Sequence, residues 1–507
     1  MYCVDYMRYF VTEQSITLYW DKPSRVPKGT VYRVLLDGEL VRETGKTHCT
    51  IENLKDNQEY DVKVEVIVDG VTASSIEYGA ICTAKKKKRK DVTMPPYNAV
   101  GDGVTLNTKV LQQAIDDCGS DEVLYIPSGI FMTGALRLHS DMEIYLEEGA
   151  VLQGTDCVED YLPRILSRFE GTELSCYSSV LNMGDLDHAS GYNCRNIFIH
   201  GKGTISSGGS TLAWRVIESE RERLKAYLLE LGDKVKECED EHTIPGRVRP
   251  RLINMSNCQN VILSGLTLEN GASWNVHMIY SDNIVTHDCV IKSMGIRNGD
   301  GWDPDSSTNC TIFATTFCTW DDSVAIKSGK NPEGNIINRP CEHIRIFDCV
   351  SEFGHGITIG SEMSGGINDI KIWDCDLEHS SQGVEIKGTK KRGGYVRNVH
   401  VSDCVLPRVR FHSVGYNDDG ISAGVAPFFE KCTFERIALR GAYLSRDKAW
   451  RECNAIELCG FDEPGHEVRD ITFRDIKLGS DKISKEQTLS LRLCENITLE
   501  KISCFRN

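Results

Sequence analysis

Asn260-Val261-Ile262-Leu263-Ser264-Gly265 is followed by Asn283-Ile284-Val285-Thr286-His287-Asp288-Cys289 and then by Asn309-Cys310-Thr311-Ile312-Phe313, one phrase written three times. A polar residue opens each phrase, apolar and polar side chains then alternate, and a small residue or Cys closes it. The phrase stands earlier at Asn196-Ile197-Phe198-Ile199-His200-Gly201 and later at His343-Ile344-Arg345-Ile346-Phe347-Asp348-Cys349, Ile370-Lys371-Ile372-Trp373-Asp374-Cys375 and Asn398-Val399-His400-Val401-Ser402-Asp403-Cys404. Asp470-Ile471-Thr472-Phe473 and Asn496-Ile497-Thr498-Leu499 are its last instances. The intervals cluster near about 23 to 34 residues, the period of a solenoid unit. A period of two marks a strand with one buried face, and no comparable helical period accompanies it. Each unit therefore reads as one coil of two or three short strands, and the stack as a parallel β-helix. Successive coils are displaced by about 4.8 Å, so residues separated by one coil in sequence become neighbours in space.

That rule gives meaning to four strings of polar residues. Asn298-Gly299-Asp300-Gly301-Trp302-Asp303 precedes Trp320-Asp321-Asp322-Ser323 by about one coil; Gly354-His355-Gly356 follows after a longer one, and Glu385-Ile386-Lys387 after another. Any one Asp alone reads as a turn former or a solvated side chain, but four carboxylates and an imidazole at coil spacing predict one outward-facing column. Neighbouring residues in a strand point to opposite faces, so Asp321 and Asp322 reach the same cleft only if the backbone bends there. Hydrolysis of a glycosidic bond with inversion needs one protonated carboxyl at the departing oxygen and an ionised one that activates water, about 6.5 to 9.5 Å apart. Carboxylates on neighbouring coils can meet this requirement, and crowding three of them raises the pKa of one.

At these residues the chain resembles the polygalacturonase family of pectin-degrading enzymes, glycoside hydrolase family 28. The family's signatures Asn-Thr-Asp, Asp-Asp after Gln or Trp, Gly-His-Gly and Arg-Ile-Lys correspond in order to Asn298-Gly299-Asp300, Trp320-Asp321-Asp322, Gly354-His355-Gly356 and Glu385-Ile386-Lys387. Val100-Gly101-Asp102-Gly103 and Ser273-Trp274-Asn275-Val276-His277 match as well, so the resemblance covers about residues 95 to 507. It implies an all-β, right-handed parallel β-helix. It further implies that Asp321 is the general acid, that Asp300 and Asp322 hold and deprotonate the attacking water, and that His355 tunes the acid and contacts substrate. Lys387 would bind a uronate carboxylate, and Asn298, Asp303, Trp274, His277 and Glu385 would complete the substrate site. The reaction implied is inverting hydrolysis of α-1,4-galacturonosidic bonds in a pectic oligosaccharide, without metal or cofactor. Two positions depart from the pattern: Gly299 stands for Thr, and Glu385 for the Arg that helps grip a substrate carboxylate. The second makes a substituted or mixed pectic fragment, of rhamnogalacturonan or xylogalacturonan type, the alternative substrate. A calcium-dependent pectate lyase and a non-catalytic carbohydrate-binding solenoid are the remaining alternatives.

The rest of the chain frames this site. A net charge of -16 argues against nucleic acid or an acidic membrane as a partner. Residues 1–84 carry alternating strands at Ser15–Trp20, Tyr32–Gly38 and Tyr60–Val66, a β-sandwich signature that resembles a fibronectin type III module. The run Lys85 to Lys90 predicts a solvated linker over 85–94. The segment around Leu111–Asp116 predicts a helix that caps the first coil, and residues 211–240 a helical insertion with Trp214, Ile217, Leu224, Leu228, Leu231 and Val235 along its apolar side. The insertion, the N-terminal module and Gly360–Gly366 are candidates for closing one end of the cleft, which predicts exo action. Twenty-one Cys without a Cys-x-x-Cys pair predict free thiols lining the solenoid interior. With no basic and apolar leader pattern in Met1–Tyr6 and no run of 18 apolar residues, the reading favours the cytoplasm.

Overall fold

The computed structural model describes residues 6–23, 26–27, 29–479 and 489–504. Residues 1–5, on which the leader reading rests, lie outside them. The chain divides into two compact units, Met1–Arg89 and Lys90–Asn507. In the first, antiparallel strands form a three-stranded sheet (Met7–Val11, Ile16–Trp20, His48–Ile51) and a four-stranded one (Glu39–Thr44, Val31–Leu36, Glu59–Val68, Val71–Cys82). The alternation in Tyr60–Val66 turns Val62, Val64 and Val66 inward onto Trp20, Tyr32 and Val34, and Tyr32 meets Trp20 edge-on at 5.2 Å. Such an arrangement is compatible with a fibronectin type III module.

The second unit is a right-handed parallel β-helix. Three long parallel sheets run its length, and each coil gives a short strand to two or three of them. Register follows the repeated phrase: Ile197 pairs with Val261, Val261 with Ile284, and Ile312 with Ile346. Those residues are fully buried, and each such side chain taken from water contributes roughly 1.5–3 kcal/mol before entropy is counted. The polar residue that opens each phrase sits at a corner. Asn196, Asn260, Asn283, Asn309 and Asn398 all have left-handed backbone, with φ between 54° and 58°. Asn tolerates this region because its short amide bonds locally. Here the amides also bond between coils, Asn283 Nδ2 to Asn260 Oδ1 at 2.8 Å and Asn260 Nδ2 to Asn196 Oδ1 at 3.0 Å.

The first coil is capped by helix Thr108–Asp116, whose Leu111, Ala114 and Ile115 close the apolar interior. Part of the basic run departs from the linker reading, because Lys88–Asp91 is a strand at the edge of the longest sheet. Backbone pairing outweighs the charge of this run, and Lys90 is neutralised by Glu122 at 2.8 Å. The insertion is helical, as Gly209–Arg223, Lys225–Leu231 and a 3-10 turn Gly232–Glu237, and of the expected stripe only Trp214 turns outward, the second half being covered less than the first. Leu212, Ala213, Val216 and Ile217 are buried, whereas Trp214 is 40% exposed and Leu224, Leu228, Leu231 and Val235 are only half-buried.

The described cysteines are all free, and Cys289, Cys349, Cys375 and Cys404 are buried in the interior. Burial pushes the Cys289 thiol up to about 12, which keeps it inert. Among the described residues no helix is long and apolar enough to cross a membrane. The corner geometry predicts that Asn260→Val, a β-branched residue forced to φ 58° with two amide bonds lost, destabilises the fold by about 1–3 kcal/mol in urea unfolding. Asn260→Gly should cost clearly less.

Candidate active site

One sheet forms the floor of the cleft: Val276–Ile279, Trp302–Asp305, Val324–Ile326, Gly356–Ile359 and Gly383–Gly388 are consecutive strands of it. Trp302 pairs with Val276 and Val324, and Val324 with Ile357. Two residues ahead of each paired position lie Trp274, Asp300, Asp322 and His355, which therefore stack on successive coils. Asp321 precedes Asp322 in a bend, residues 320–323, that leads into strand Val324–Ile326, and this bend turns both carboxylates toward the cleft. At the other end of the same strands a second column holds Asp305, Lys327, Gly360 and Lys387. Gly360 has φ +97°, and a Cβ there would meet the Lys387 carbonyl oxygen at 2.1 Å, so the close approach admits only glycine.

The expected single column is thus three. The middle one, His277, Asp303, Ala325, Thr358 and Glu385, lies under the side chains of the outer two. Asn298, Asp300, Asp321, Asp322, His355, Trp274 and Lys387 line the cleft. Asp303, His277 and Glu385, anticipated as substrate contacts, are not among its lining residues and are buried beneath it. Glu385 points into a charged nest, 2.8 Å from His412 Nε2, 3.3 Å from Lys387 Nζ and 3.7 Å from Arg410 Nη1. His277 Nε2 stands 3.5 Å from Asp305, and burial, opposed by that carboxylate, drives its pKa down to about 3, so it is neutral.

Charges in the cleft are arranged in pairs. His355 Nδ1 lies 2.9 Å from Asp321 Oδ1 and 3.3 Å from Asp322 Oδ1, the Thr358 hydroxyl donates to Asp322 Oδ1 at 2.6 Å, and Lys387 Nζ is 3.9 Å from Asp322 Oδ2. Burial disfavours the imidazolium, but the Asp321 charge outweighs it and raises the His355 pKa to about 10. The same pair holds the Asp321 carboxyl well below the usual range against the pull of burial. Asp300 behaves oppositely: burial, reinforced by Asp321 and Asp322, pushes its carboxyl well up even though Lys327 Nζ is 3.2 Å away. In the unliganded cleft the two carboxyls are therefore pushed in opposite directions, Asp300 toward its protonated form and Asp321 toward its ionised form beside His355. Asp321, Asp322 and His355 are close enough to hold a metal ion, but the His355 imidazolium already stands between the two carboxylates and supplies the positive charge an ion would bring.

Glu239 and Glu362 line the cleft from the insertion and from Gly360–Gly366, segments expected to border it, whereas Lys327, Tyr416, Asn417, Glu170 and Arg446 were missed by the sequence reading. Lys327 carried a usable signal, since Ala325-Ile326-Lys327 is the same x-Ile-Lys phrase as Glu385-Ile386-Lys387, two coils earlier. Arg446 carried none, because it sits in a hairpin outside the coil period.

Residues 166–416 match the family model described as glycosyl hydrolases family 28. A probable polygalacturonase of Vitis vinifera is 31% identical over 355 residues, 68% of this chain and 65% of that relative, so the match spans just under two thirds of the relative's length. An exo-poly-alpha-D-galacturonosidase of Dickeya chrysanthemi is 26% identical over 428 residues, 75% of this chain and 70% of the relative. The family 28 exopolygalacturonase structure from Yersinia enterocolitica shares the fold, with a TM-score of 0.79 over 98% of each chain at 21% identity. Over residues 166–416 the chain belongs to glycoside hydrolase family 28.

The His355–Asp321 pair gives stability a defined pH window. Asp321, depressed below its ordinary 3.8, contributes above that pH and loses its share as pH falls; His355, raised from 6.5 to about 10, contributes fully below 6.5 and loses its share as pH rises through about 10. Comparison of wild type with His355→Gln by urea unfolding should show the largest stability difference between about pH 4 and 6.5, shrinking toward pH 10.

Proposed function

We propose that the enzyme hydrolyses α-1,4-galacturonosidic bonds of pectic oligosaccharides with inversion and in exo fashion, releasing one galacturonate at a time from the non-reducing end. The observation that carries this reading is the convergence of Asp300, Asp321, Asp322, His355 and Lys387 on one cleft. Asp321 gives its proton to the departing glycosidic oxygen. In the free cleft that proton resides on His355 Nδ1, 2.9 Å away, and passes to Asp321 as the oxygen develops charge. Asp300 and Asp322, one coil apart, hold the water that attacks the anomeric carbon from the other face, and its proton leaves as the C–O bond breaks. Asp322 is the carboxylate that takes this proton, while Asp300, biased toward its protonated form, orients the water, so one proton leaves the water and one carboxylate accepts it. Lys387 and the other cleft cations attract uronate carboxylates despite the acidic chain.

Support for exo action comes from the segments that border the cleft. Glu170 in the hairpin Ile165–Cys176, Glu239 after the helical insertion, and Tyr416 and Asn417 beyond strand Val409–Ser413 all line it. Arg247 ties two of these segments together, 2.9 Å from Glu170 Oε2 and 2.8 Å from Asp419 Oδ2, and the Glu239 amide donates to Asn417 Oδ1 at 2.9 Å. A wall fixed in this way limits how far a chain can extend past the catalytic carboxylates, and the Dickeya relative bears an exo-acting name. The buried position of Glu385 favours galacturonan over a substituted fragment, because its carboxylate is satisfied internally and does not face the sugar.

On polygalacturonan the wild type should release monogalacturonate from the outset, without mid-length oligomers, and chelator should not alter the rate. Asp321→Asn should lower kcat by roughly 10²–10⁴-fold with KM little changed. Early mixed oligomers would overturn exo action. Calcium dependence with unsaturated products absorbing in the ultraviolet would overturn hydrolysis.

A further inference from the structure

The family pattern places an Arg where this chain has Glu385, and Glu385 is folded away from the cleft. The cleft nonetheless contains a guanidinium. Arg446 sits at the tip of the hairpin made by Ala442–Leu444 and Trp450–Glu452, remote in sequence from every catalytic motif. The tip is held by its own bonds: the Ser445 amide donates to Ala449 O at 3.0 Å, the Lys448 amide to Ser445 O at 2.8 Å, the Ala449 amide to Asp447 Oδ1 at 3.1 Å, and Arg451 Nη2 pairs with Asp447 Oδ2 at 2.6 Å. Arg451 and Asp447 thus satisfy each other. Arg446 is left to reach across to the catalytic bend, where its Nη2 donates to Trp320 O at 3.2 Å and lies 3.5 Å from His355 Nε2. Its guanidinium stands 5.2 Å over the Trp320 ring, a stacked arrangement that orients the planar fork.

Two further observations point to an anionic ligand. Among the described residues no carboxylate lies within ion-pair distance of Arg446, while the other cleft cations do have such partners: Lys327 has Glu362, Lys387 has Glu385 and His355 has Asp321. The outer edge of His355, Nε2, faces the same guanidinium, and although the Asp321 charge is felt by both, the two donors converge on a position to which no carboxylate of the described residues bonds. A carboxylate docked there would accept from both. Its place is fixed by the neighbours: Arg446 touches the residue before Asp321 and the imidazole that pairs with Asp321, so the ligand belongs beside the leaving group.

We propose that Arg446 is a specificity-determining residue that binds the carboxylate of the uronate in the leaving-group subsite, supplying from the hairpin the guanidinium contact that position 385 no longer gives. This rests on the galacturonan reading above. Glu385 then serves to hold Lys387, 3.3 Å away, in its buried nest.

Steady-state kinetics on digalacturonate and on its methyl ester at the reducing-end unit test this assignment in wild type, Arg446→Gln and Arg446→Lys. Wild type should prefer the free acid. Arg446→Gln should raise KM for the free acid by at least about tenfold, the loss of one charge-assisted contact, with kcat within a few-fold, and should abolish the preference over the ester. Arg446→Lys should recover part of the preference. Unfolding midpoints within the scatter of wild type would confirm that the hairpin is intact. An Arg446→Gln enzyme with wild-type KM and undiminished preference for the acid overturns the proposal while leaving the galacturonan reading in place. A wild type that turns over neither compound overturns that reading and this proposal together.

Discussion

The structure depends on one constraint: each coil must return to its starting point displaced by a single interstrand spacing. Parallel pairing enforces the displacement, since a residue's backbone partners lie one coil above and below it. The return needs sharp corners, which residues with left-handed backbone provide once or twice per coil; Asn260 and Asn283 at one corner and Asp348, Asp374 and Asp403 at another are examples, with φ from 50° to 58°. A β-branched side chain at those positions would strain the backbone and could not bond to the next coil; the small Ala314 takes one of them with φ 47°. Once the corners are set, the alternation in each strand decides which side chains pack inside, and Ile312 over Ile346 over Ile372 follows.

The same stacking organises the chemistry. Asp300, Asp322 and His355 occupy equivalent places ahead of consecutive strands, and Lys327 and Lys387 occupy equivalent places behind theirs, so the cleft has an acidic rim and a basic rim facing each other over a narrow floor. Burial of both rims would be costly if the charges were unpaired. Lys327 with Asp300 and His355 with Asp321 offset that cost, and the unequal settlement between them separates the carboxyls by function. Asp300, the more deeply enclosed, is pushed toward its protonated form against the pull of Lys327. Asp321 is ionised but borders an imidazolium from which a proton is available.

Elements outside the coil period adapt this shared frame. The hairpin Ile165–Cys176, the helical insertion and the segment around Tyr416–Asp419 are joined through Arg247 and Asn417 rather than through sheet pairing, and the hairpin that bears Arg446 reaches the catalytic bend from outside the sheet. A solenoid accepts such additions at its corners because the core of each coil is already complete without them. Substrate choice and mode of attack can therefore change while the carboxylates stay fixed.

The repeated phrase by itself determined the β-helix and brought Asp300, Asp321, Asp322, His355 and Lys387 to one cleft, because a period of one coil converts sequence separation directly into spatial adjacency, while the capping helix was legible separately in Leu111–Asp116. It also implied the bend at Asp321-Asp322, since two neighbouring side chains on one face require it. Only the tertiary structure decided that Asp303, His277 and Glu385 lie beneath the cleft: alternation tells which face a side chain takes, but not that longer neighbours on either side fold over it. Only the tertiary structure brought Arg446 to His355 and Arg247 between Glu170 and Asp419, for these contacts join segments that no period relates. Which way Glu385 points was likewise a matter of its surroundings, where His412, Arg410 and Lys387 hold the carboxylate more firmly than an open cleft would.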